Sequence, residues 1–120
     1  MTVDDFRRIA LEMDGAIERS HLNHPDFRAG GKIFATIHLD RRQGMVKLTP
    51  EQQERFIREY PGVFHPATGV WGREGCTMVR FAQANEDAVG EALALARENL
   101  AREGRNDSSA RRVKARMRAR

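Results

Sequence analysis

Apolar and polar positions follow two periods in succession across residues 30–60. Ile33, Ala35, Ile37 and Leu39 alternate with Lys32, Phe34, Thr36 and His38, the period of a strand half buried in a sheet. A turn over residues 40–44 follows. Val46 and Leu48 then continue the buried set, while Met45 and Lys47 point the other way. Thr49-Pro50-Glu51-Gln52 is a capping box with proline at the first helical position, so a helix starts there. Phe56, Ile57 and Tyr60 form its buried stripe, and Pro61-Gly62 ends it. A hairpin feeding directly into a helix turns one sheet face inward and leaves the other open.

The flanking segments complete the pattern. Thr2 caps a first helix whose apolar positions are Val3, Phe6, Ile9, Ala10 and Met13, with Gly15 as its stop. Residues 17–22 and 26–29 read as two short strands separated by the turn cluster Asn23-His24-Pro25, and Gly30-Gly31 leads into the central hairpin. Residues 63–75 read as a glycine-rich loop around the lone Trp71, before a strand in which Thr77, Val79 and Phe81 alternate with Cys76, Met78 and Arg80. Asn85 caps a last helix with Val89, Ala92, Leu93, Ala96 and Leu100 on its apolar stripe, closing at Gly104. The order, roughly α-β(3-4)-α-β(1-2)-α, predicts an α+β fold, a two-layer α/β sandwich with helices on one face of an antiparallel sheet.

Composition changes this picture chiefly through charge. The chain of 120 residues has room for one domain and carries a net charge of +4. Residues 1–104 hold 14 Lys and Arg against 16 Asp and Glu, whereas residues 105–120 hold seven basic residues against Asp107 alone. The basicity thus belongs to a C-terminal tail on a nearly neutral body, and residues 105–120 are expected to be flexible when alone. The single cysteine, Cys76, excludes an intrachain disulfide and a cysteine-rich zinc site. No apolar run approaches membrane-spanning length, and the first residues lack a basic leader pattern, so a cytoplasmic protein without membrane association is expected.

Candidate chemistry is sparse. His21-x-x-His24, with His65 or Asp26, is the one grouping that suggests a metal. Zinc demands three or four convergent ligands at recognisable spacing, and this set lacks that spacing, so no metal site is expected. Gly72-x-x-Gly75 has phosphate-cradle spacing, but a cradle opens a helix and here a strand follows, which favours a structural loop. Cys76 has no evident histidine partner and reads as a small buried residue. No nucleophile–base pair can be assembled, so neither an enzyme nor a cofactor is expected.

The series IFATI, VKLTPEQ, PGVFHP and WGREG, in that order and followed by a strand, resembles the MmcQ/YjbR family over residues 3–100. The resemblance implies a bacterial domain of secretion-chaperone-like or frataxin-like architecture, of a kind described as DNA-binding. Where the family often carries an aromatic just after the second loop glycine, this chain has Cys76.

Two functions are therefore expected as alternatives. In the first, a non-catalytic accessory protein binds DNA or another polyanion. Arg111, Arg112, Lys114, Arg116, Arg118 and Arg120 of the tail contact phosphates, and Lys47, Arg80, Phe34, Trp71 and Arg73 supply cations and rings on the open face. That face collects Phe34, Thr36, His38, Lys47, Met78 and Arg80 if Ile33, Ile37, Val46, Val79 and Phe81 face the helices. In the second, the same face and the Trp71 loop dock a protein partner or a small ligand.

Overall fold

Helix starts are fixed by side chains that satisfy the first free backbone N–H groups. Thr2 Oγ1 accepts from the Asp5 amide at 3.1 Å and Asp5 accepts from the Thr2 amide at 2.8 Å, opening α1 (Val3–Leu11). Thr49 and Gln52 form the same reciprocal pair ahead of α2 (Pro50–Glu59). Asn85 accepts from the Ala88 amide at 2.8 Å and opens the last helix, α4 (Glu86–Arg118). The sequence expects this helix to close at Gly104, but the backbone continues helical through it. The computed structural model describes residues 1–118, and the side chains of residues 1–103. The tail side chains named above, and the expectation of flexibility attached to them, lie outside the described side chains.

Six strands form one antiparallel sheet: β1 (Ile17–His21), β2 (His24–Ala29), β3 (Lys32–His38), β4 (Gln43–Lys47), β5 (Phe64–Pro66) and β6 (Cys76–Arg80), in the order β1-β2-β3-β4-β6-β5. His24 and Pro25 belong to β2, not to the turn before it. The turn is only Leu22-Asn23, both left-handed with φ of 49° and 66°, the tight form that suits the twist of two strands. Between β5 and β6 the segment expected to be a loop contains a short helix, α3 (Gly69–Arg73).

The face assignment needs one correction. Phe27 pairs with Ala35, but the next residue, Arg28, pairs with Ile33, so Phe34 is an extra residue bulged out of the ladder. A bulge breaks the period of two, and everything before it changes face. Phe34 is consequently turned into the core and fully buried, while Ile33 emerges on the open face. Phe34 is therefore not a surface ring. Leu39, expected as a buried strand residue, instead sits half exposed in a 3₁₀ turn, Leu39–Arg41.

The remaining core follows the pattern. Phe6 of α1 lies 6.2 Å from the Phe27 ring and 5.3 Å from Phe81, and Phe56 of α2 stands edge-on to Phe64 at 5.1 Å. Ile37, Val46 and Val79 meet Val89 and Leu93 of α4 in the same buried cluster. Each such side chain contributes about 1.5–3 kcal/mol by leaving water. The helical layer thus covers one face of the sheet in an α+β sandwich. No helix among the described residues is long and apolar enough to cross a membrane.

Candidate functional site

The uncovered face of the sheet is concave. Residues paired across antiparallel strands share a face, so the register places Asp26, Thr36, Met45, Met78 and His65 in one row across five strands. His38, Gln43 and Arg80 form the next row to one side, and Lys47 and Cys76 the next to the other. From Gln43 to Lys47 along β4 this surface runs about 13 Å. Met45 and Met78 make an apolar floor that Ile33 extends through the bulge. Walls rise at both ends and enclose a cavity of about 490 Å³.

The chain has four histidines and all four line this cavity: His21, His24 and His38 form one wall, and His65 on β5 lies at the far edge of the sheet. His21 and His24 flank the tight Leu22-Asn23 turn, which brings them to the end of β3 where His38 lies. The His24 and His38 rings are 4.5 Å apart between centroids. His38 Nε2 is 3.1 Å from the Thr36 hydroxyl, and His65 Nε2 is 3.0 Å from Gln43 Oε1. His21 Nδ1 donates to Asp26 Oδ2 at 2.7 Å, and Arg28 Nε donates to the other carboxylate oxygen at 2.7 Å. Asp26 is fully buried beneath them. The hydrogen bond from Arg28, helped by His21, holds its carboxyl below the usual carboxylate range against the cost of burial. Burial lowers the pKa of His38, and the neighbouring His24 and Arg41 lower it further. His65 is shifted down as well, first by burial and then by Arg80.

The opposite wall is α3 and the chain leading to it. A Cβ on Gly72 would stand 1.9 Å from the Ala67 carbonyl oxygen, and one on Gly75 would stand 2.1 Å from that of Leu48, at a φ of +111°. These glycines let backbone pack against backbone, which explains their spacing without a phosphate. Gln53, buried on α2, directs its Nε2 at the carbonyls of Gly72 and Cys76 at 3.1 and 3.0 Å and clamps the segment. The consequence is that Trp71 is held at the cavity mouth while remaining 62 % exposed.

Of the residues expected on this face, Thr36, His38, Lys47, Met78 and Trp71 line the cavity together. Arg80 shares the face, but its guanidinium donates to the Gly62 carbonyl at 3.2 Å, and Arg73 is exposed on the last turn of α3. The sequence reading did not connect His21, His24 and His65 with His38. The signal available was register: with strand ends placed, all four fall on one face.

Burial pushes the Cys76 thiol up, away from the thiolate. A hydroxyl–imidazole contact exists at Thr36 and His38, and an imidazole–carboxylate contact at His21 and Asp26, but on different rings, so they do not chain into one relay. Among the described residues no group of three or more His, Cys, Asp or Glu side chains is arranged to hold a metal ion.

Comparison with known proteins bears on the fold. A crystal structure of the Deinococcus radiodurans protein DR2400, which contains the domain of unknown function DUF419, is 20% identical with a TM-score of 0.63, over 77% of this chain and 72% of that one. No functionally curated protein matches significantly. A family model, YjbR, matches residues 11–98, most of the folded body. The chain belongs to the YjbR family.

Proposed function

We propose that this domain is a non-catalytic binding module that receives a ligand in the open-face cavity. The observation that carries the reading is the exposed Trp71 standing over a cavity of about 490 Å³ with a methionine floor. Small-ligand sites are concave, roughly 300–1,000 Å³ in volume, mostly apolar and furnished with a few fixed polar groups. Methionines adapt to varied shapes, and an aromatic anchor at the rim supplies contact area. Trp71 is the only tryptophan, so its emission reports on the site. Titration with a library of small organic fragments is expected to yield saturable emission changes, lost when Met78→Arg fills the floor. No saturable change with any fragment would overturn the reading.

DNA binding is a second reading, favoured by one observation: the seven basic residues of positions 105–120. Contacts of that kind release counterions and are blind to sequence. Fluorescence anisotropy on duplex DNA across a salt series, with Arg111, Arg112, Lys114, Arg116, Arg118 and Arg120 replaced by Gln, tests it. The reading expects a steep salt dependence that the variant loses. Equal binding by both chains would move the contact to the body.

A further inference from the structure

Charge around the cavity differs from charge on the rest of the body. Residues 1–104 carry 16 carboxylates against 14 Lys and Arg, yet among the described residues no Asp or Glu lines the cavity. Arg41 and Lys47 do, together with all four histidines. Asp26, the nearest carboxylate in the register, is buried and already accepts from His21 and Arg28. His24, His38 and Arg41 gather at one end, and Trp71 stands beyond the methionine floor at the other, with Lys47 beside it. From these observations, and resting on the binding role proposed above, we infer that the ligand is a flat aromatic anion, its ring toward Trp71 and its anionic group at the imidazole end.

The histidines make this recognition sensitive to pH. Burial keeps His38 neutral near pH 7, so it can take up a proton when an anion arrives. The charges that face His38 are His24, His21, Arg41 and Asp40, and of these only Asp40 favours the imidazolium. An anion supplies the missing negative charge, and binding is therefore coupled to proton uptake.

Calorimetry on the full chain tests this with two pairs of probes: indole-3-acetate against its neutral amide, and adenosine monophosphate against adenosine. Each is measured at pH 7.5 and 6.0 in two buffers of different ionisation heat. The anion of at least one pair is expected to bind roughly tenfold tighter than its neutral partner, the scale of one charge-assisted contact. Proton uptake should accompany it, and the preference should grow at pH 6.0. Which pair responds distinguishes a carboxylate from a phosphate. His38→Gln should remove most of the pH dependence, and the exposed Trp71→Ala should weaken both members of a pair alike. Equal affinity within both pairs would overturn the inference while leaving the binding role intact. Binding lost only on neutralising the basic residues of 105–120 would also overturn it. So would no binding of any probe at millimolar concentration, and the Trp71 emission titration then decides separately whether the cavity binds at all.

Discussion

Gly72 and the carbonyl of Ala67 leave no space for a side chain between them, since a Cβ would stand 1.9 Å from that oxygen. The obstacle is backbone, which cannot rotate aside, so Gly72→Ala must displace α3. A loss of about 2–3 kcal/mol is expected in urea denaturation, at the upper end of overpacking costs. Trp71 is the preceding residue, so its emission in the folded variant should change too. An unchanged midpoint and spectrum would show that α3 has room to move.

Asp26 anchors the histidine wall through Arg28 and His21. Its carboxyl is held below the ordinary 3.8, so the ionised form stabilises the fold above that pH, and the contribution is lost as pH falls through the folded value. Asp26→Asn is expected to cost about 1–2 kcal/mol at pH 7, discounted because both partners are partly exposed. The gap between variant and parent should narrow below pH 4, which denaturation across a pH series measures.

His38 gives the opposite handle on a higher window. Its folded pKa is lowered from 6.5, so the unfolded chain takes up its proton first as pH falls. Stability present above about 6.5 therefore declines between pH 7 and 5. His38→Gln should flatten part of this slope in thermal melts, and His65, shifted the same way, accounts for the remainder. A parallel slope in the variant would place the titrating group elsewhere.

Leu22 is 86 % exposed and left-handed at φ 49°, a conformation that Asn tolerates better than Leu. Leu22→Asn is expected to raise stability by about 0.5–1 kcal/mol, read as a higher urea midpoint.

Much of the fold was legible because its signals are local. The caps at Thr2, Thr49 and Asn85, and the alternation through β4 and β6, each depend on neighbours a few positions away. Phe34 was not legible in this way: nothing in IFATI announces a bulge, and one extra residue in β3 exchanged it with Ile33. The short helix α3 was hidden because Gly69 and Gly72 weaken helix propensity, while part of the packing that compensates comes from Gln53, 19 residues before Gly72. The histidine-lined face is a product of topology. His21, His24, His38 and His65 come from four strands and share one face only when β1 to β5 are paired.

The cavity as a binding site is the central claim, and amide-resolved NMR of the full chain during titration with small aromatic fragments tests it most directly. The account predicts that shifts converge on Thr36, Met45, Met78 and the Trp71 indole, and weaken in Trp71→Ala. Shifts that instead gather on the helical layer, or on residues 105–120 alone, would contradict it.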